Sequence, residues 1–367
     1  MSHYETFCKK PVNMKNEHLH ILLAGTLPPP IGGTSVSFQI LVDLLAQRED
    51  ISIEVLDLGK IRRIRGGIAV QLICLMYELV LRMRKVNVNT IYVASTALPT
   101  LGLIVLLVSR LLAKPFIVRK AAGFDYMELG PIRGLIAHFV VKHADLYLAQ
   151  TKNLVYLARN RGISHVRWYP TSRMIGEGRD MPSLQRTSCR RFVFVGQVRQ
   201  YKGIYEIIQA AERCEEGVTV DVYGPLFDDL GKGVFEKCKK VKYCGILSAE
   251  NVIPTLKRYD MLLLPTKAPT EGYPGAILEA YSAGLPIITT RCGGIPEIVD
   301  ENSGIFVEPG NAESLYQAMK KLSEDSELYT RLCKGVREQV RQFSAETWAD
   351  QFVSLCRELH YGKKISI

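Results

Sequence analysis

Residues 270–290 read Thr270-Glu271-Gly272-Tyr273-Pro274-Gly275-Ala276-Ile277-Leu278-Glu279-Ala280-Tyr281-Ser282-Ala283-Gly284-Leu285-Pro286-Ile287-Ile288-Thr289-Thr290. Two carboxylates, Glu271 and Glu279, stand eight positions apart. The first lies in a Gly/Pro loop and the second inside the helix predicted over 275–283. Pro274 suits a first helical position, because its missing N–H is not needed there. Ala276, Ile277, Ala280, Tyr281 and Ala283 give that helix an apolar face. Gly284 can supply a left-handed stop, and 285–290 reads as a buried strand. Glu271 therefore sits just outside a helix N-terminus, where free N–H groups and the helix dipole favour an anion such as phosphate. An anion cradle flanked by two carboxylates suits a nucleotide-sugar, with phosphates at the amides and hydroxyls at the carboxylates.

Working outward, the same alternation of strand and helix runs through the chain. Upstream of the motif the spacing predicts strand 192–195, a turn carrying Gln197, Arg199, Lys202 and Gly203, then helix 204–214, strand 218–223, helix 230–239, strand 241–244, helix 249–257 and strand 260–264. Downstream come helices 312–323, 326–342 and 345–360. The first half starts with strand 18–24, a loop ending in Gly32-Gly33, helix 35–47 and strand 51–58. Helix 68–85, strand 90–94, helix 100–112, strand 115–118, helix 131–143, strand 145–149 and helix 151–161 follow. Strands and helices taking turns imply parallel sheets covered on both faces. Residues 173–190, polar and holding Gly176, Gly178 and Pro182, read as a linker. The glycine loop is not G-x-G-x-x-G, so a dinucleotide fingerprint is not supported, although Gly33 permits close backbone approach to a phosphate.

A chain of 367 residues with 47% hydrophobic and 23% charged content is globular and long enough for two cores. Its nine cysteines are scattered without a C-x-x-C, which points to a reducing compartment and away from disulfides or a zinc site. The net charge of +10 belongs to one half: residues 1–170 hold 21 Lys/Arg against 11 Asp/Glu, whereas 171–367 hold 26 of each. Nucleic acid is not expected as the partner of the basic half, because no recognition motif accompanies the charge. An anionic membrane surface is expected instead. Residues 60–65 (Lys-Ile-Arg-Arg-Ile-Arg) precede an apolar helix that ends at Arg82, Arg84 and Lys85, a pattern suited to adsorption on anionic lipid. The apolar run 98–112 is too short to span a bilayer, which takes ~20 residues, and reads as a buried crossover helix. No secretory signal is read in residues 1–20.

Glu271 and Glu279 match the E-x7-E element of retaining glycosyltransferases with the GT-B fold. Together with Cys292-Gly293-Gly294-Ile295-Pro296-Glu297-Ile298-Val299, the segment resembles glycosyltransferase family 4, the group 1 glycosyltransferases. The likeness is strong over 190–345 and weaker over 19–170. It implies an α/β, GT-B fold: two Rossmann-like parallel-sheet domains facing a central cleft. The first, 1–172, would bind the acceptor; 191–344 would bind the nucleotide-sugar; 345–367 would return as a helix onto the first domain. The resemblance places Glu271 by the donor sugar and leaving phosphate, Lys202 on the diphosphate and Glu279 on the ribose hydroxyls. Gly272, Gly275 and Ala276 would leave room for the sugar phosphate, and the loop at Gly33 is similar to the family's donor-phosphate loop.

The chain departs from the family at two points. Gln197 stands where arginine often follows Gly196, and Arg199 is expected to reach the phosphate in its place. Ala122 stands where many members have histidine, leaving Gly123 and Asp125. Asp125 is the expected acceptor of the acceptor's proton, or a ligand of donor hydroxyls. Arg119 and Lys120 could hold an anion, or Arg119 could simply pair with Asp125. His138 and His143 read as structural, Asp228-Asp229 as a helix cap, and 243–247 as similar to the family's nucleobase pocket. The implied function is retaining transfer of a sugar from a UDP-, GDP- or ADP-sugar to a saccharide, lipid-linked acceptors foremost, in surface polysaccharide or glycolipid assembly. No cofactor and no metal are expected, and the location implied is cytoplasmic, on the inner face of the membrane. Two alternatives stay open: a degenerate nucleotide-sugar-binding scaffold subunit and a GT-B sugar-nucleotide epimerase.

Overall fold

A computed structural model of the chain describes residues 18–29, 32–65, 67–121, 123–175, 189–227 and 230–362, without the side chains of Arg62 and Ile68. Ala122, Asp228, Asp229 and the greater part of the expected linker lie outside the described residues. The first unit runs β1 (Leu19–Gly25), α1 (Gly33–Ala46), β2 (Ile51–Asp57), α2 (Leu58–Arg62), α3 (Gly67–Met83), β3 (Val88–Val93), α4 (Leu103–Leu111), β4 (Phe116–Lys120), α5 (Pro131–His143), β5 (Leu146–Ala149), α6 (Lys152–Asn160) and β6 (Val166–Trp168). The second runs β7 (Arg191–Val195), α7 (Ile204–Arg213), β8 (Thr219–Tyr223), α8 (Gly233–Glu236), β9 (Val241–Gly245), α9 (Ala249–Leu256), β10 (Met261–Leu264), α10 (Gly275–Ser282), β11 (Ile287–Thr290), β12 (Gly304–Val307), α11 (Ala312–Glu324) and α12 (Ser326–Gln339), and α13 (Ala345–His360) ends the described chain.

Each unit is a six-stranded parallel sheet, ordered β2-β1-β3-β4-β5-β6 in the first and β12-β11-β10-β7-β8-β9 in the second. Strand order reverses between β1 and β3 in one sheet and between β7 and β10 in the other. Ligands of open α/β sheets bind at such reversals, outside the carboxyl ends of the strands. Strands β3 and β10 are buried throughout, as strands covered on both faces must be. On one face of the first sheet α3, α4, α5 and α6 share a core. On the other, α1 packs with Phe352, Val353 and Cys356 of α13. The terminal helix thus closes the first sheet although it follows the second in sequence. Hydrophobic burial drives this: Phe352 and Cys356 are fully buried there.

The element reading differs from the structure in short pieces. Strands β6 and β12 span only 3 and 4 residues, too short to leave a two-residue alternation. The helix expected over 230–239 shortens to Gly233–Glu236. The helix expected from residue 100 starts instead with a wider turn, Leu98–Gly102, before α4. Pro274 is the cap ahead of α10, and Gly275 is its first helical residue.

Candidate active site in the interdomain cleft

The reversal between β7 and β10 gathers the second domain's polar groups. The turn after β7 carries Lys202, followed by Gly203 at φ 86°. Only glycine fits there, because an added Cβ would also run into the carbonyl of Pro265. Lys267 N donates to Tyr201 O at 2.7 Å, tying this turn to the segment after β10. Lys202 Nζ consequently reaches Glu271 Oε1, forming an ion pair whose side chains are 16% and 12% exposed. Thr266 Oγ1 donates to the same carboxylate oxygen at 3.3 Å. The Glu271 backbone is clamped from behind, where Gly294 N donates to Glu271 O at 2.8 Å. The start of α10, with no side-chain cap, follows directly. A cation, a carboxylate and a helix N-terminus converge, which is an arrangement able to receive a diphosphate and steady charge that develops on it.

Arg199 is not part of this ion pair. Its guanidinium lies 3.6 Å from the centroid of Phe227 and its Nε donates to Gln197 Oε1 at 3.3 Å. Tyr201 links the two cations loosely, with Arg199 and Lys202 5.9 and 5.6 Å from its ring centroid. Gly33 is exposed in the first turn of α1, and a Cβ there would meet open space. Ala276 leans on the second domain's core. At Gly272 and Gly275 the space expected for a sugar phosphate is filled from the first domain. A Cβ on Gly272 would strike the Gln150 amide, and one on Gly275 the Arg173 guanidinium.

Glu279 is engaged by that same arginine: Arg173 Nε donates to Glu279 Oε1 at 2.8 Å, while Arg173 Nη1 donates to Ser37 Oγ at 2.9 Å. Arg173 is 4% exposed and stands between the two sheets. Its N–H donates to Phe343 O and its carbonyl accepts from Ala345 N at the start of α13. One side chain therefore joins α1, α10 and the strap that carries the last helix back. Residues 173–175 are a structured crossing point, where the sequence suggested only a linker.

For the proton-accepting role expected of Asp125, the structure shows a carboxylate already engaged. Arg161 donates to both its carboxylate oxygens, at 2.8 and 2.5 Å, and Met127 N donates to Oδ1 at 3.1 Å. Burial alone would raise this carboxyl, but Arg161 and the Met127 amide outweigh it and hold it below its ordinary value. A carboxylate so stabilised in its ionised form is a poor base, and Asp125 serves to cap the turn Tyr126–Leu129. The partner is Arg161 and not Arg119. Arg119 is fully buried between the rings of Tyr92 and Tyr169, 5.2 and 5.0 Å from their centroids. Burial pushes the Lys120 ammonium down to about 7, and its Nζ is turned to the carbonyl of Phe124. Both cations brace the loop after β4 from inside. That loop meets the Glu271 loop of the second domain directly, since a Cβ on Gly123 would collide with the backbone of Gly272 and Glu271.

Residues 189–325 match the family model described as "Glycosyl transferases group 1". The second domain is a group 1 glycosyltransferase domain. The whole chain has the GT-B fold. It superposes on the Anabaena protein Alr3699/HepE, solved in complex with UDP, with a TM-score of 0.73 over 93% of this chain and 100% of that one, at 16% identity. Among curated proteins it is similar to the O-antigen chain mannosyltransferase C of Escherichia coli, 25% identical over 176 residues, and to the N-acetyl-alpha-D-glucosaminyl L-malate synthase of Bacillus anthracis, 24% identical over 257. The matches span 47% of this chain and 47% of the first relative, and 65% of this chain and 67% of the second.

Within the group 1 domain, Glu297 does work that its place in the Cys292–Val299 string does not announce. Its carboxylate accepts from Lys152 N at 2.5 Å and Asn153 N at 3.0 Å, capping α6 of the opposite domain. It also accepts from Tyr273 OH at 2.7 Å, and Trp168 Nε1 donates to that hydroxyl at 3.1 Å. Burial and the Glu297 carboxylate push the Tyr273 hydroxyl far above its ordinary value, so it stays a donor. The group 1 domain thus grips the first domain at both flanks of the Glu271 loop. Sequence reasoning missed Arg173, Gln150 and the capping role of Glu297. None lies near the residues it serves in sequence, and no local pattern marks them.

Proposed function

We propose that the protein is a retaining glycosyltransferase that moves a sugar from a nucleotide-sugar to a saccharide, carried on a lipid, in surface polysaccharide or glycolipid assembly. The observation that carries this reading is the Lys202–Glu271 pair at the β7/β10 reversal beside the start of α10. The donor diphosphate would take Lys202 and, on displacing Arg173 from Gly275, the α10 amides, and its ribose would take Glu279 from the same arginine. In the transfer, the bond from the anomeric carbon to the diphosphate oxygen breaks and the acceptor oxygen bonds that carbon from the same face. The acceptor's proton passes to the leaving phosphate, which suits a first domain whose Asp125 is held ionised by Arg161. Lys202 and the helix N-terminus supply the positive charge that the departing diphosphate needs. A UDP-sugar is the first donor to test, because the Anabaena neighbour was solved with UDP.

The first domain's outer helices support a place on the inner face of the membrane. Ile73 and Tyr77 of α3, Leu111 of α4 and Ile132 and Leu135 of α5 are 61–82% exposed. Apolar side chains left in water on three helices of one domain are the material of an interaction face, and Lys60, Arg63, Arg65, Arg84 and Lys85 are exposed around α3. Among the described residues no helix is long and apolar enough to cross a membrane, so the contact proposed is peripheral.

The test is a thermal-shift panel of UDP, GDP and ADP followed by turnover of the matching sugar donors. A ligand at 100 times its dissociation constant adds ~2.7 kcal/mol of stability. One nucleotide should raise the melting temperature, and Lys202→Ala should lower turnover on the order of 10²-fold, the scale for removing one stabiliser of developing charge. Unchanged turnover in Lys202→Ala, or no shift with any of the nucleotides, would sink the assignment.

A further inference from the structure

A cavity of 320 Å³ lies between β2, α2 and α3, within the size range of small-molecule sites, ~300–1,000 Å³. Ile61, Ile64 and Cys74 make its apolar wall and Tyr77 stands at its mouth, where the ring is 64% exposed. The same face of α3 carries Ile73, the side proposed to meet the membrane. The other end of the cavity reaches Asp57, the last residue of β2. Asp57 Oδ1 accepts from Leu27 N at 3.3 Å, in the loop that leads from β1 towards α1 and the cleft. The lining of the cavity therefore runs from Tyr77, beside the exposed apolar Ile73, to Asp57, which is tied to the loop after β1.

Its charges are unequally engaged. Asp57 also accepts from Gly59 N at 2.9 Å. Arg82 lies on Glu78 and Glu54, both at 2.9 Å. Lys60, exposed at the rim, has no side-chain partner among the described residues. What the cavity offers a visitor is an apolar slot with one uncommitted cation at its edge. A hydrocarbon chain ending in phosphate has the complementary form: the chain gains burial, and the phosphate meets the ammonium.

We propose that this cavity seats the first part of the hydrocarbon anchor of a lipid-phosphate-linked acceptor, with the anchor's phosphate at Lys60. This rests on the lipid-linked-acceptor reading above and adds to it a second binding site, outside the cleft. The anchor would enter past Tyr77 from the bilayer, and its saccharide would extend past Asp57 and the loop after β1 to the donor.

The experiment uses the full chain and geranyl phosphate, a water-soluble chain with one terminal phosphate, in titration calorimetry beside geraniol, inorganic phosphate, dihexanoyl phosphatidylglycerol and UDP. Geranyl phosphate should bind at least tenfold more tightly than inorganic phosphate or dihexanoyl phosphatidylglycerol. Lys60→Ser should weaken geranyl phosphate at least fivefold and leave geraniol unchanged. Ile61→Trp, which fills the slot, should remove both, and UDP affinity should stay the same in each variant. If Ile61→Trp does not fold, Tyr77→Ala at the exposed mouth carries the same test and should weaken geranyl phosphate at least threefold. Equal binding of geranyl phosphate to the wild type and the wall variant overturns the proposal. Inorganic phosphate competing as well as geranyl phosphate also overturns it, because the site would then read phosphate alone. Equal competition by dihexanoyl phosphatidylglycerol would assign the cavity to bulk lipid and overturn the acceptor assignment. Transfer to a water-soluble saccharide, run in parallel, separates the two readings: transfer that persists without geranyl phosphate binding removes the cavity and leaves the transferase standing.

Discussion

Arg173 holds Glu279 through one nitrogen and Ser37 through another while its backbone pairs with the start of α13. The pair is poorly exposed, 4% for Arg173 and 16% for Glu279, so removing one partner leaves a charge with little water to receive it. Arg173→Ala should therefore cost about 2–4 kcal/mol of unfolding free energy. In a double-mutant cycle with Glu279→Ala the two losses should fall short of additivity by at least about 1 kcal/mol, as they do for groups sharing one interaction. Urea denaturation of the four proteins measures this, and additive losses would mean that the two side chains act independently. Glu279→Ala should also weaken nucleotide binding by about 1.5–3 kcal/mol, the value of a hydrogen bond to a charged group. The carboxylate motif was legible from residue spacing alone. Its partner was not, because Arg173 lies 106 positions away in a segment with no periodic signal.

At the scale of elements, the proposed transfer would depend on how the loop after β4 meets the loop before α10. Gly123 sits against the backbone of Gly272 with no space for a methyl group. Gly123→Ala should wedge the loops apart without touching either core. Turnover at saturating donor should fall at least tenfold, because displacements near 1 Å cost on the order of 10²-fold when reacting groups must be aligned. The melting temperature should move by only a few degrees. Steady-state kinetics beside a thermal melt settles it, and wild-type turnover in this variant would show that the loops part during the reaction. The long elements were readable, since α5 (Pro131–His143) and α13 (Ala345–His360) have the ends that their periodicity predicts. The pieces of 3 to 5 residues, β6, β12 and the turn Leu98–Gly102, were misread or missed. So few residues carry no period, and their conformation is set by the neighbours they pair or pack with.

For the whole molecule, the charge excess of residues 1–170 and the exposed apolar residues of α3, α4 and α5 fall on the same domain. Each cation near an anionic leaflet contributes about 1 kcal/mol, decaying over a Debye length of about 8–10 Å. Co-sedimentation with phosphatidylglycerol vesicles should capture the protein at low salt and release it at high salt. Replacing Arg63, Arg65, Arg84 and Lys85 by Ser should abolish capture and leave nucleotide affinity unchanged, since the groups proposed to hold the donor belong to the other domain. A wild type that stays in the supernatant at low salt would mean that the basic, apolar face has another partner.

The sequence by itself determined two parallel α/β sheets, the helix that opens behind Glu271, the Lys202-Gly203 turn and the uneven distribution of charge. These are local properties: a period, a cap, a glycine at positive φ, a composition. Only the tertiary structure decided which side chains those groups face. It paired Lys202 with Glu271 from strands adjacent in the sheet but 69 positions apart. It gave Asp125, which the sequence offered as a base or a ligand of donor hydroxyls, to Arg161. It brought Gln150 and Arg173 over Gly272 and Gly275, and set Glu297 as the cap of a helix in the other domain. Partner choice of this kind is fixed by the docking of two separately folded sheets and by the helix that returns across them, a geometry for which no stretch of the chain carries a local signal.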